Sequence, residues 1–340
     1  MKAPAFWWQA RPSLAAMALS PFGSLYGAVT VRRMAQDGEP APLPVICIGN
    51  FTAGGAGKTP SAIAVARILA GLGEHPAFLT RGYGGSLTGP VAVSPEHTAT
   101  EVGDEPLLLA RHFLTIVAAD RPAGAQEADR RGATVVVMDD GLQNPALAKD
   151  LTFAVVDAAF GLGNGLCVPA GPLRAPLDRQ LAHAHAVILI GEGERGVRIA
   201  RAAAARGRPV LNARLVPDPA VAASLAGQRV LAFAGIGMPE KFFATLRGLG
   251  AEVAVAHAFA DHQPFDVATV EGLVREAEAK GLMPITTEKD AVRLLALGSR
   301  TGVLSRIGTL PVTLQFEAPE TVAQLLQAAI SHWRAQRDGT

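Results

Sequence analysis

Cysteine is nearly absent from this chain: only Cys47 and Cys167 occur in 340 residues. Two thiols so far apart make neither a disulfide framework nor a zinc site, and no H-x-x-x-H or Cys/His cluster offers a structural metal. A reducing, cytosolic compartment is the expectation. An excess of charge of one sign is also missing. The formal net charge is +1, so nothing signals a nucleic-acid partner, and no feature implies a protein partner. Charged residues make up only 18% of the chain and hydrophobic residues 49%, enough for a substantial core at a length that suits two domains. There is no internal repeat, and the only biased tract is the Ala/Arg-rich run RIARAAAARGR at 198–208.

One stretch is short of charge to an unusual degree. From Pro12 to Val31 no charged residue occurs, and Arg32 and Arg33 close the run. Trp7 and Trp8 precede it beside Phe6. Twenty uncharged residues are long enough to span a bilayer, but Pro21, Gly23 and Gly27 interrupt them and several hydroxyl residues dilute them. Three readings stand: an interfacial membrane segment with aromatics at headgroup level and Arg32/Arg33 toward anionic lipid, a helical hairpin packed on its own domain, or a true span or signal. The first is favoured.

Apolar runs bounded by Gly, Pro or Asp alternate with helical patterns along the rest of the chain, which predicts an α/β fold with a parallel sheet covered on both faces. Strands are expected at 44–49, 76–80, 115–119, 134–138, 152–156 and 187–190, with helices near 59–71, 104–113 and 122–131. The stretch PDPAVAASLAGQ reads as a connector, and a second series follows it, including a helix at 290–297, a strand at 311–315 and a helix at 319–336. The expected organisation is a membrane-associating helical segment over 1–34, a P-loop NTPase-like core over 35–217, a linker over 218–228 and a smaller α/β domain over 229–338.

The most informative stretch is VICIGNFTAGGAGKTP, residues 45–60. It has a strand before it and a helical pattern after it. Gly54, Gly55 and Gly57 let backbone N–H groups point at phosphate oxygens, and the helix N-terminus adds partial positive charge. Lys58 would reach the β- and γ-phosphates of ATP, and Thr59 would offer its hydroxyl to Mg²⁺. The whole candidate loop comprises Thr52, Ala53, Gly54, Gly55, Ala56, Gly57, Lys58 and Thr59; Thr52 stands where the usual pattern has its first glycine.

Such a loop needs an acidic strand end beside it. TVVVMDDG supplies Asp139 and Asp140. In VGDEPLLLA, Asp104 and Glu105 read as a helix cap and first turn, a role compatible with a place beside the site. His262, in FADHQPF, heads a loop of the second domain.

Together and in order, GNFTAGGAGKTP, RGYGG (81–85), GDEP (103–106), DDGLQ (139–143), PAGPLR (169–174), DHQPF (261–265) and TEKD (287–290) resemble the tetraacyldisaccharide 4'-kinase (LpxK) family of lipid A biosynthesis. The resemblance spans residues 49–290 and makes Thr52 and Asn50 family features. It implies transfer of the ATP γ-phosphoryl group to the 4'-hydroxyl of a tetraacyldisaccharide 1-phosphate, giving lipid IVA, at the cytoplasmic face of the bacterial inner membrane. It further implies Asp104 as general base with His262 as its partner, Lys58 on the transferred phosphate and Thr59 on magnesium. Asp139, Asp140, Glu105 and Gln143 are implied in the metal and phosphate network, and Arg81 and Tyr83 at the mouth of the site. Where the family commonly reads LREP this chain has Leu173–Arg174–Ala175–Pro176, so a role of that glutamate cannot belong to Ala175, while Arg174 remains available for an anionic headgroup. Two rivals stay open on residue chemistry alone: a partitioning-type ATPase, although residues 50–57 lack the extra lysine such loops often carry, and a kinase for a soluble metabolite.

Overall fold

The computed structural model describes residues 3–295 and 302–338. Its strands, in chain order, are β1 (Val45–Asn50), β2 (Pro76–Thr80), β3 (Val91–Ala92), β4 (Thr115–Val117), β5 (Val135–Asp139), β6 (Leu151–Asp157), β7 (Ala186–Ile190), β8 (Val210–Pro217), β9 (Arg229–Ala234), β10 (Glu252–Ala258), β11 (Met283–Thr287), β12 (Gly308–Leu310) and β13 (Val312–Phe316). Nine form a sheet in the order β13-β8-β7-β6-β1-β5-β2-β4-β3, and four form a second sheet in the order β10-β9-β11-β12. The small sheet is wholly parallel. In the large one only the edge pairs β13–β8 and β3–β4 are antiparallel.

Side-chain alternation explains why the central strands are apolar throughout. Ile46 and Ile48 of β1, Val135 and Val137 of β5, and Phe153 and Val155 of β6 enter the core beneath the helices Lys58–Gly71 and Pro319–Asp338. Their neighbours Val45, Val136, Met138, Ala154 and Val156 enter cores on the opposite face. A strand covered on both sides has no position left for a polar residue until its end. There β1 carries Asn50, β5 carries Asp139 and β6 carries Asp157. Functional groups therefore gather at the carboxyl edge of the sheet, where ligands of open α/β sheets bind.

The domain boundaries differ from the sequence-based expectation. Strand β13 pairs with β8 of the large sheet, and Leu314, Val322, Leu326 and Ile330 lie in the large domain's core. The segment from 312 onward, expected in the smaller domain, thus completes the larger one. Strand β8, not foreseen, makes this possible: its exposed and buried residues alternate near the sheet edge, a pattern that the apolar-run criterion passes over. The expected linker also contains a helix, Pro219–Leu225, capped by Asp218, with Leu225 buried in the small domain. The chain crosses between domains near Asp218 and again at Pro311, and the Asp218 amide donates to the Pro311 carbonyl at 2.9 Å. The helix expected at 290–297 runs Glu288–Leu295; residues 296 and 297 lie outside the described residues, as do residues 1 and 2.

The N-terminal run forms one continuous helix, Leu14–Met34, despite Pro21. Proline removes the donor that would serve the Met17 carbonyl, and the Ser20 hydroxyl donates to that carbonyl instead at 2.8 Å. Ala16, Gly23, Gly27 and Met34 form the buried face. Glycine is required there by close approach: a Cβ at position 23 would stand 2.7 Å from the Cys167 carbonyl oxygen. The opposite face presents Leu14, Met17, Phe22, Leu25, Tyr26 and Val29, all exposed. Trp7, expected at headgroup level, has its ring packed against the protein. It is buried, and its indole N–H donates to the Pro169 carbonyl at 2.9 Å.

Since Leu326 is fully buried in the large domain's core, Leu326→Ala is expected to lower stability by about 2–5 kcal/mol. Urea unfolding followed by fluorescence checks this; an unchanged midpoint would place the final helix outside that core.

Candidate active site

The phosphate loop leaves β1 at Asn50 and returns to helix at Lys58. Gly57 at φ 89° makes the final turn, and a Cβ there would also strike Ile190 Cδ1 at 2.6 Å. Asn50 shapes the loop from below: its amide nitrogen donates to the Gly54 carbonyl at 3.2 Å, and its side-chain oxygen accepts from Lys58 Nζ at 3.4 Å. The segment after Cys167 braces the other side, as Ala53 N donates to Pro172 O at 2.7 Å and Arg174 N to Phe51 O at 2.9 Å.

Arg174 ties this loop to the acidic strand end. Its two terminal nitrogens grip Asp140 Oδ1 and Oδ2 at 2.8 and 3.0 Å, and Nε donates to the Thr52 carbonyl at 3.2 Å. Lys58 Nζ stands 3.7 Å from the same Asp140 oxygen. Burial acts to raise the Asp140 pKa, but Lys58 and Arg174 outweigh it and hold the group down to about 2. Asp140 has φ 52°, a left-handed conformation that aims the carboxylate back at the loop. Gln143 completes the layer, donating to Asn50 O at 2.8 Å and to Gln180 Oε1 at 2.7 Å while accepting from Arg174 at 3.2 Å.

Asp139 behaves differently. It is buried, its Oδ1 has no hydrogen-bond partner, and burial together with the Glu105 carboxylate pushes its pKa well above the usual range, against the pull of Lys58. Nearby Arg121, also buried, has its pKa lowered to about 10 by burial and keeps its charge at neutral pH.

Across from these groups stands the small domain, presenting the carboxyl ends of its own strands. His262 Nδ1 lies 3.1 Å from both oxygens of Asp104. Lys289 Nζ reaches Glu105 Oε1 at 3.0 Å and His262 Nε2 at 3.3 Å. An ammonium group only donates, so the Lys289 contact makes Nε2 the acceptor and favours the tautomer that directs Nδ1–H at Asp104. Burial would raise the Asp104 pKa, yet the His262 hydrogen bond, Lys289 and Arg293 hold it below the ordinary value. Tyr83 packs edge-on against His262 with ring centroids 5.5 Å apart. Arg81 is exposed, close enough to Arg121 for the two charges to repel.

The expected site residues therefore converge, with Arg81 at the margin. Sequence reasoning missed Arg121, Gln180, Asp290 and Arg293, and gave no role to Lys289. The TEKD run contains Lys289 and Asp290, and the i,i+3 spacing of Asp290 and Arg293 was the available signal for a paired acid and base. Could the residues present hold Mg²⁺? Among the described residues no three His, Cys, Asp or Glu side chains converge as a ligand cluster. A magnesium ion usually takes only one or two protein carboxylates alongside phosphate and water. The orphaned Asp139 oxygen fits that demand, with Thr59 in the first helical turn. Asp140 and Glu105 are engaged by Arg174 and Lys289.

A glycine-rich loop at a helix N-terminus, a lysine, an acidic strand end and a hydrogen-bonded Asp–His pair facing the loop together define a P-loop nucleotide-dependent phosphotransferase. The family model for LpxK, tetraacyldisaccharide-1-P 4'-kinase, matches residues 15–331. The chain belongs to that family. A tetraacyldisaccharide 4'-kinase of Methylobacterium nodulans is 55% identical over 332 residues, covering 97% of this chain and 96% of that protein. One from a Bradyrhizobium species is 48% identical, covering 99% and 98%. The crystal structure of LpxK from Aquifex aeolicus in complex with ATP aligns at a TM-score of 0.71 over 93% of this chain and all of that one; at 24% identity the likeness is one of fold.

Arg174→Ala would free both Asp140 oxygens and the Thr52 carbonyl together. It is expected to weaken ATP binding about tenfold or more, because charge-assisted bidentate contacts are the strong ones. Calorimetric titration checks this; unchanged affinity would remove Arg174 from the shaping of the loop.

Proposed function

We propose that the chain transfers the γ-phosphoryl group of ATP to the 4'-hydroxyl of a tetraacyldisaccharide 1-phosphate, yielding lipid IVA. The observation that carries this reading is the Asp104–His262 contact facing the Lys58 loop, in a member of the LpxK family. Loop amides and Lys58 hold the phosphates in line, so catalysis is mostly positioning and neutralisation of charge. Thr59 and Asp139 would hold magnesium, which would supply further neutralisation of the phosphate charge. Asp104, kept ionised by His262 and the surrounding cations, takes the hydroxyl proton as the new P–O bond forms and the bond from the γ-phosphorus to the bridging oxygen of ADP breaks, releasing ADP.

Asp104 is only 5% exposed, so a sugar hydroxyl reaches it when the two domains part about the crossings near Asp218 and Pro311. Reclosure returns His262 to Asp104 and excludes water, which protects ATP from hydrolysis. The assay is ATP turnover in detergent micelles with and without the lipid disaccharide. Turnover is expected to require the acceptor and Mg²⁺, and Asp104→Ala to lower kcat by about 10²–10⁴-fold with ATP affinity little changed. Acceptor-independent hydrolysis would favour a nucleotide switch, and near-normal turnover by the variant would remove Asp104 from the base role.

The helix Leu14–Met34 is long and apolar enough to cross a membrane by length and composition. Its packed glycine face and its exposed apolar face support a position lying on the cytoplasmic surface of the inner membrane, with Arg32 and Arg33 toward anionic lipid. Acyl chains would stay in the bilayer while the sugar rises to the seam. The double variant Leu25→Glu/Val29→Glu, which changes only exposed positions, is expected to leave the membrane fraction in vesicle flotation. Retention of the variant on vesicles would place the anchor elsewhere.

A further inference from the structure

Arg293 is 6% exposed and makes contacts on every side. Helix Glu288–Leu295 sets it three residues after Asp290, which is fully buried, and its Nη2 lies 2.8 Å from Asp290 Oδ1. Asp290 is itself fixed: it accepts from Gly235 N at 3.1 and 3.2 Å and from the Thr287 hydroxyl at 2.6 Å. The guanidinium then grips two backbone carbonyls, Gly235 O from Nη2 at 2.7 Å and Gln263 O from Nη1 at 3.0 Å.

Those two carbonyls bracket His262. Gln263 is the next residue, and Gly235 O also accepts the His262 backbone amide at 3.2 Å. His262 needs such support because its φ of 58° is a left-handed conformation that is strained for a residue with a side chain. The fourth direction leads across the domain seam. Arg293 Nε stands 3.2 Å from Asp104 Oδ2, an ion contact at an angle that leaves the buried Nε without a hydrogen-bond acceptor.

We propose that Arg293, oriented by Asp290, is the positioning residue of the phosphoryl-transfer site: it fixes the His262 turn and holds His262 and Asp104 in register across the seam. The inference rests on the functional reading above. The experiment is a double-mutant cycle on the full-length protein in mixed micelles with the disaccharide acceptor and ATP. Arg293→Gln is expected to lower kcat about 10- to 100-fold with KM for ATP changed by less than about twofold. In a His262→Ala background the same substitution should cost less than about threefold, because residues acting as a unit are not additive. Arg293→Lys should rescue little, since one ammonium cannot hold two carbonyls and reach Asp104 together.

A second readout needs no turnover. Imidazole ¹⁵N spectra should show His262 as the Nδ1–H tautomer in the parent chain and as a mixture in Arg293→Gln. Should Arg293→Gln not fold, Arg293→Lys and Asp290→Asn are read by the same two criteria. Equal losses in both backgrounds with an unchanged tautomer would overturn the positioning role. No acceptor turnover by the parent chain, with a tautomer that still depends on Arg293, would overturn the functional reading and leave the positioning role standing.

Discussion

Carboxylates buried or half-buried along the seam between the large sheet and the small one must be matched by cations, and this requirement organises the molecule. The large sheet brings Asp139 and Asp140 to its carboxyl edge, with Asp104, Glu105 and Asp157 beside them. Each acid has a definite answer. Asp140 is matched within its own domain by Arg174 and Lys58, whereas Asp104, Glu105 and Asp157 are met from the small domain by Arg293, Lys289 and Lys241. Acid on one side and base on the other give the seam one favoured register. Such a contact also separates at modest cost once water enters, unlike an apolar interface of the same extent. Asp139 is the exception, and its unmatched oxygen marks where a further cation is wanted.

The same logic links distant parts of the chain to the phosphate loop. The segment 167–174 braces the loop through Pro172, and the buried face of the N-terminal helix rests on Cys167 and Ala170. Trp7 is anchored to Pro169 in that segment, and the Trp8 ring comes within 3.9 Å of the place a Cβ on Gly54 would take. An exposed apolar surface is thus built onto the scaffold that shapes the nucleotide loop. The helix has two unlike faces for that reason: small residues for close approach inward, large apolar ones outward.

Much of this was legible in the residues. Central strands read as apolar runs because both faces are covered, and the glycine loop and the DD strand end declare themselves through spacing. Strand β8 did not, because an edge-side strand alternates weakly, nor did the return of the chain at Pro311, because β13 pairs with a strand about a hundred positions earlier. Trp7 misled for a related reason. An aromatic residue before an uncharged run has the same local pattern whether it faces lipid or a neighbouring loop; only the partner at Pro169 distinguishes them. Spacing could pair Arg293 with Asp290 but not place it at the site, since its meaning there lies in Gly235, Gln263 and Asp104, three points brought together only by folding.

The departure at Ala175 is instructive on the same terms. The residue is fully buried in the apolar cluster beneath the N-terminal helix, and its carbonyl accepts from Gln180 Nε2 at 2.6 Å. Gln180 also donates to Phe51 O at 3.1 Å, so one buried amide pins both strands of the Thr52–Leu173 bridge region. Position 175 therefore serves the site through its backbone, setting the direction in which Arg174 leaves the chain. Among the described residues Arg174 has a single carboxylate partner, Asp140. Leaving the chain in that direction, it commits both terminal nitrogens to Asp140 and its Nε to the phosphate loop.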